Sequence, residues 1–183
     1  MSIGRTTARG LAAAGLACAV LAPVGAADAV KPHREPISET YTFDSTAEED
    51  YCGLVGVHVD GLFESMLMIR NRRGVYYYTE HQVVTETITY GDTTITRVSK
   101  PMFKDLKIVD LGDTLLITVL GTGPESTYGP GGKAISRNPG QFRFRVEVDK
   151  ATDEEIEGSF TVIKESTGRT DDFCADVVPV LLG

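Results

Sequence analysis

The fold class follows from residues 83–98, which read Val-Val-Thr-Glu-Thr-Ile-Thr-Tyr-Gly-Asp-Thr-Thr-Ile-Thr-Arg-Val. Two runs rich in β-branched residues, joined by a Gly-Asp pair, are typical of a β-hairpin with a two-residue turn. Such a turn places Ile88 opposite Ile95 and Glu86 opposite Arg97, with a ladder of threonines on the other face. Each pair of this kind stabilises a sheet by roughly 0.2–1 kcal/mol. The stretch therefore predicts an antiparallel β protein.

Most of the remaining chain repeats this pattern of short apolar runs and turns. Residues 141–150 alternate most clearly, with Phe142 and Phe144 on one side and arginines on the other. About nine strands follow one another through short links without a helical crossover, which imposes antiparallel neighbours. Because an open meander exposes its edges, we predict that residues 41–183 form one meander closed into a barrel of about eight strands. A β-sandwich is the alternative.

Two segments depart from the strand pattern. Thr170 precedes acidic residues and an apolar run, which predicts a short C-terminal helix that begins at this cap and ends at Pro179. Residues 121–140 contain six glycines and three prolines. This composition is typical of a long irregular loop, and long loops in compact domains are usually functional or disordered.

Residues 1–29 have the pattern of a secretory signal peptide. A basic start precedes an apolar run, residues 11–21, which is too short for a membrane-spanning helix. An Ala-Asp-Ala pattern predicts cleavage after Ala29, and cleavage after Ala26 is the alternative. We therefore predict a secreted, extracellular protein.

A lipid anchor is the rival interpretation of this segment. Cys18 would be the lipidated residue, but Gly15 stands where a lipoprotein signal has leucine, and a good cleavage site lies further along the chain. The mature chain is expected to begin with a flexible leader at residues 30–40, because two prolines and no hydrophobic period occur there.

Charge and cysteine content narrow the function classes. The chain has 18 Lys and Arg against 26 Asp and Glu, a formal net charge of −8. This balance argues against nucleic acid and anionic membrane surfaces as partners. Beyond the signal peptide only Cys52 and Cys174 remain, and an even count in an exported chain predicts a disulfide. A metal site at these cysteines is not indicated, because no further soft ligand lies nearby in the sequence.

The sequence indicates no catalytic residue and no cofactor. The three histidines, His33, His58 and His81, have no neighbouring set of metal ligands, and no serine stands in a nucleophile-elbow context. Glu86 is the best candidate for an acid or base, but its cross-strand position predicts a structural ion pair with Arg97.

A run of three tyrosines suggests a binding site, because tyrosine combines an apolar ring with a polar tip. A barrel of this size has room for one small ligand, so we hypothesise binding of a small apolar or amphipathic molecule. The expected ligand wall comprises Tyr76, Tyr78, Leu115, Ile117, Phe142 and Phe144, with Glu86 and Arg97 as the charged groups near the mouth. The alternatives are a cyclase- or isomerase-like barrel enzyme, and a surface-interaction protein that uses residues 121–140.

Two further stretches carry a resemblance. Residues 127–140 read Thr-Tyr-Gly-Pro-Gly-Gly-Lys-Ala-Ile-Ser-Arg-Asn-Pro-Gly, and residues 166–175 read Ser-Thr-Gly-Arg-Thr-Asp-Asp-Phe-Cys-Ala. Together with the early Cys52-Gly53 pair and the Thr-rich hairpin, they resemble a group of small secreted β proteins from actinobacteria. The Gly91-Asp92 turn departs from the Asn/Gly-rich, basic link of that group. The resemblance implies no catalytic residues.

Overall fold

The computed structural model describes residues 32–183, and the predicted signal peptide lies outside them. Ten strands and one helix follow in order. They are β1 (His33–Asp44), β2 (His58–Arg72), β3 (Val75–Tyr90), β4 (Thr93–Ser99), β5 (Met102–Asp110), β6 (Thr114–Gly123), β7 (Glu125–Tyr128), β8 (Ala134–Arg137), β9 (Gly140–Asp149), β10 (Thr161–Thr167) and α1 (Phe173–Leu182). All ten strands belong to one antiparallel sheet. The predicted antiparallel β architecture with a short C-terminal helix is confirmed.

The hairpin formed by β3 and β4 has the predicted register. Ile88 pairs with Ile95 and Glu86 with Arg97. Gly91 opens the turn with φ +57°, a conformation that glycine adopts without strain. Strand β2 pairs with β3 along the other side from His58 to Arg72, so β3 is the central strand of the sheet.

Three prolines form a line across the sheet. Pro101 separates β4 from β5, Pro124 separates β6 from β7, and Pro139 separates β8 from β9. Proline has no N–H group for the ladder, so each strand is interrupted at that point. The register does not shift across the break: β4 and β5 pair with β3 as one continuous strand, with Ser99 opposite Val84 and Met102 opposite His81.

This proline line divides the sheet into two parts. The helix half contains β4, β7 and β8 and is covered on one face by α1; the open half contains β5, β6, β9 and β10. Strand β3 crosses both halves. Backbone hydrogen bonds bridge the line, including Gln82 N to the Pro101 carbonyl and Lys100 N to the Pro124 carbonyl, both 2.9 Å. The two halves are therefore parts of one sheet.

The hydrophobic core lies in the helix half. It consists of buried residues from the strands, from the position before β2 and from α1, namely Val57, Val59, Ile88, Ile95, Val177 and Leu181. The Cys52–Cys174 disulfide, as predicted, joins the chain before β2 to the first turn of α1. The bond holds α1 against the strands that it covers.

The first and last residues of α1 differ from those predicted. Its N-cap is Asp172, whose Oδ1 accepts a hydrogen bond from Ala175 N at 3.1 Å. Residue 171 is held outside the helix, because Asp171 N donates to Asn138 Oδ1 at 2.7 Å. Pro179 lies inside the helix, which continues to Leu182 because Val177 and Leu181 are packed in the core.

Three other expectations differ from the structure. The sheet is not closed into a barrel, since β1 and β10 each pair on one side only. Residues 33–40 form part of β1 instead of a flexible leader; Pro36 is accommodated because β1 is an edge strand. Residues 121–140 are mostly strand, in β7, β8 and the ends of β6 and β9, since the glycines and prolines mark interruptions between paired segments. No helix within residues 32–183 is long and apolar enough to cross a membrane.

Replacing Gly61 with alanine tests the packing over β2. The Tyr41 ring crosses this glycine, and an added Cβ would lie 2.0 Å from Tyr41 Cζ. We expect Gly61→Ala to lower the free energy of unfolding by about 1–3 kcal/mol, the usual cost of overpacking. Urea denaturation measures the change, with Gly131→Ala as the control because an added Cβ there meets nothing within 4 Å. Equal loss in both variants would contradict this account.

Removal of the disulfide tests how α1 is held. The bond joins residues 122 apart in sequence, and the loop-entropy model assigns such a closure about 4–5 kcal/mol, with measured effects often smaller. We expect the Cys52→Ser/Cys174→Ser variant to unfold at clearly lower denaturant concentration than the wild type. Thiol labelling of unfolded, unreduced protein should leave both residues unlabelled, and labelling at both would disprove the bond.

Candidate functional site

The eight residues predicted to line a ligand site lie on one face of the sheet. Cross-strand pairing places Glu86 beside Arg97, Val119 beside Phe144, and Ile117 beside Val146. This is also the face that α1 covers in the helix half, and we call it the helix face. The proline line separates the eight into two groups: Glu86 and Arg97 in the helix half, and the six tyrosine, phenylalanine and aliphatic residues in the open half.

The first group forms an ionic cluster under α1. Arg97 donates from Nη1 to Glu86 Oε2 at 3.0 Å and from Nη2 to Glu125 Oε2 at 2.5 Å. Tyr41 donates its hydroxyl to Glu86 Oε1 at 2.7 Å. The Arg97 guanidinium also lies 5.3 Å from the centre of the Phe173 ring at the start of α1. This cluster connects β1, β3, β4, β7 and α1, which is a structural role.

The charged form of Arg97 is stabilised by the acidic residues of this cluster. Burial opposes the charge of Arg97, but Glu125 and Glu86 outweigh burial and keep the pKa of Arg97 above its ordinary value. Burial, and then the Glu86 carboxylate, raises the pKa of the Tyr41 and Tyr51 hydroxyls. Glu86 and Arg97 are already paired with each other, so they are poorly suited to bind a ligand.

A row of four phenylalanines crosses the open half on the helix face. The ring centres of Phe103 and Phe142 are 6.5 Å apart, those of Phe142 and Phe144 5.7 Å, and those of Phe144 and Phe160 4.9 Å. We call Phe103, Phe142, Phe144 and Phe160 the phenylalanine row. Gly121 leaves room for it, since a Cβ there would lie 2.6 Å from the Phe142 ring. Phe160 is 50% exposed.

The remaining predicted wall residues flank this row. Leu115 and Ile117 are half-buried in β6, while Tyr76 is exposed and Tyr78 half-buried in β3. Burial, followed by the carboxylates of Asp153 and Asp105, raises the pKa of the Tyr78 hydroxyl. Asp153 follows β9, so the β9–β10 connection comes near Tyr78 of β3.

Asp105 is the ionisable residue that the sequence analysis missed. Strands β3 and β5 pair only from Thr79 to His81, and β5 has a bulge between Asp105 and Lys107. The Asp105 side chain lies where the strands separate, and its Oδ2 accepts a hydrogen bond from Tyr78 N at 2.8 Å. Burial raises the pKa of Asp105 to about 6, against the smaller lowering effect of that hydrogen bond. None of the salt bridges in the described chain involves Asp105.

A small cavity lies where the proline line meets the phenylalanine row. Its volume is about 170 Å³, and its lining includes Phe103, Phe142, Pro101, Pro124 and Arg169. Arg169 is already paired with Asp171 at 2.6 Å. The cavity therefore adjoins the phenylalanine row on one side and has a polar lining on the other, which includes Glu125 and Asn138.

The histidines do not contribute to this site. His58 lies between two carboxylates, with Nδ1 2.8 Å from Asp44 Oδ1 and Nε2 3.2 Å from Asp60 Oδ2, and the hydrogen bond to Asp44 raises the pKa of His58. His81 is exposed on the opposite face of β3. Between residues 32 and 183, no cluster of three or more His, Cys, Asp or Glu side chains could hold a metal ion.

The fold and site together define an antiparallel β protein with a Cys52–Cys174 disulfide, a helix over half of one face and an aromatic surface on the other half. No protein-family model, curated protein or solved structure matches the chain.

The pH dependence of stability tests the environment of Asp105. Because its pKa rises from 3.8 to about 6 on folding, the native state binds more protons between these values, and stability falls as pH increases through this window. Asp105→Asn keeps an acceptor for Tyr78 N and removes the charge. We expect it to raise stability at pH 7 on the order of 1 kcal/mol, less than the full shift because solvent screens a half-buried group.

Urea denaturation at pH 4 and pH 7 measures this effect. The control is Asp92→Asn, which removes the same charge from the exposed hairpin turn. We expect the free energy of unfolding to differ less between pH 4 and pH 7 in Asp105→Asn than in Asp92→Asn. A variant at residue 105 that is less stable than the wild type at pH 7 would show that the buried charge is compensated.

Proposed function

We propose that this protein binds a small amphipathic molecule on the helix face of its open half. The observation that carries the proposal is the phenylalanine row, in which each ring packs against the next in the open half of the sheet while α1 covers the other half. Ligand sites are lined mainly by aromatic and apolar side chains with a few polar groups. Tyr76, Tyr78 and Asp105 supply such polar groups beside the row.

The distribution of burial supports this proposal. The apolar residues buried around α1 form the core, whereas the strands of the open half contribute a single buried apolar side chain, Val119. Phe160 and Val162 remain 50% and 47% exposed on or next to the phenylalanine row. Covering this surface with an apolar ligand would release about 25 cal/mol for each Å² removed from water.

The two alternatives have less support. An enzyme of the cyclase or isomerase kind needs acid and base groups around one reacting centre. Among the carboxylates on this face, Glu80 accepts a hydrogen bond from Ser65, and Glu86 is engaged by Tyr41 and Arg97. A loop-mediated interaction through residues 121–140 is weakened because most of that segment pairs within the sheet.

We also propose that the protein acts outside the cytoplasm. The predicted signal peptide at residues 1–29 supports export, and the Cys52–Cys174 disulfide is compatible with an oxidising environment. The N-terminal residue of protein recovered from culture medium tests this proposal, and Val30 is the expected result.

Binding of a neutral apolar dye tests the function. We expect Nile red fluorescence to increase on addition of the folded protein, and decyl maltoside to displace the dye. The Phe142→Ala/Phe144→Ala variant should lose at least about tenfold in affinity, because each aromatic truncation removes over 1 kcal/mol of contact.

Phe43→Ala provides the matched control. Phe43 is 47% exposed on β1, outside the open half, and its loss should leave dye affinity unchanged. If the wild type binds no dye, or if Phe43→Ala weakens binding as much as the double variant, the proposed site is wrong.

A further inference from the structure

We propose that the ligand carries a cationic head group, which Asp105 binds while the apolar chain lies along the phenylalanine row. The ligand class would then be an amphipathic amine or quaternary ammonium compound. This inference rests on the proposed function and specifies the substrate class of the same site.

The position of Asp105 relative to the phenylalanine row is the first argument. Asp105 pairs with Val119 on β6, and Val119 pairs with Phe144 on β9, so these three residues form one row across the sheet. Phe103 precedes Asp105 by two residues on the same strand and faces the same side. An apolar chain on the phenylalanine row would therefore bring its end group within reach of this carboxylate.

The availability of the carboxylate is the second argument. Oδ2 of Asp105 accepts from Tyr78 N, and no hydrogen bond from the described residues reaches Oδ1. The cross-strand bond fixes the carboxylate between β3 and β5. A group that is held in place, partly desolvated and without a basic partner gains most from binding a cation.

The separation of charge between the two sheet faces is the third argument. In the strands of the open half, the basic side chains pair with residues of the face opposite the helix face: Lys104, Lys107, Arg143, Arg145 and Lys164. On the helix face, the acidic groups near Asp105 are Glu80, which accepts from Ser65, and Asp153 beyond β9. This face is therefore negative as well as aromatic.

Two basic residues outside the strands, Lys150 and Arg169, already have acidic partners. Lys150 donates to Asp110 and to the Gly112 carbonyl, and Arg169 is paired with Asp171. Aromatic rings attract cations through their negative faces, and Tyr78 of β3 contacts Asp105 through its backbone N–H. Carboxylate and rings together favour a cationic head over a neutral or anionic one.

The same geometry gives the binding a pH dependence. Because burial raises the pKa of Asp105 to about 6, the carboxyl is largely protonated at pH 5 and largely ionised at pH 7.5. A cation binds only the ionised form well, so its affinity should increase between these pH values. The affinity of a neutral amphiphile should change little.

Calorimetry with three decyl amphiphiles below their micelle concentrations tests the inference. The probes are decyltrimethylammonium, decyl maltoside and decyl sulfate. At pH 7.5 we expect the cation to bind the wild type about tenfold more tightly than the neutral probe, as one charge-assisted contact of ~1.4 kcal/mol implies. The ratio should approach one at pH 5 and in Asp105→Asn.

Asp92→Asn controls for the general attraction between a cationic probe and an acidic protein. This variant should keep the tenfold preference for the cationic over the neutral probe. If Asp105→Asn keeps the preference for the cation, or if the wild type prefers decyl sulfate, the proposal of a cationic head group is wrong. In either case, binding of decyl maltoside would still support the proposed function. If none of the three probes binds, both proposals fail. Near-UV circular dichroism of Asp105→Asn verifies that the aromatic packing is intact.

Discussion

The rest of the structure depends on the cross-strand register of β3. Strand β4 pairs with it from Tyr90 to Val84, and β5 resumes the same register at His81 after the interruption at Pro101. A shift of one residue would move every following side chain to the other face of the sheet. Because no shift occurs at the prolines, the core under α1 and the phenylalanine row share one face.

The proline line separates stability from the proposed binding. On one side, α1 and the Cys52–Cys174 bond cover the strands and complete a small core. On the other side, the sheet continues without a covering helix, and its aromatic residues remain partly exposed. A ligand on the open half would therefore bind a surface whose shape is held by the packing of the helix half.

The candidate site was only partly predictable. Alternation along β3 and β9 correctly grouped Tyr76, Tyr78, Phe142 and Phe144 on one face, but it also included Glu86 and Arg97, which the proline line places under α1. Phe160 was missed because it precedes β10 and reaches the row only by stacking on Phe144. Asp105 was missed because its burial depends on a bulge and on the separation of β3 from β5.

The sequence alone determined the features that depend on neighbouring residues. The Gly91-Asp92 turn and the β-branched runs set the hairpin register, and the cysteine count determined the Cys52–Cys174 bond. Only the tertiary structure decided whether the sheet closes into a barrel, where residues 33–40 lie, and which carboxyl group is buried. These outcomes depend on contacts between segments far apart in the chain, such as β1 on β2 and Tyr78 on Asp105. Local alternation does not specify such contacts, because they depend on how strands far apart in sequence are placed in the sheet.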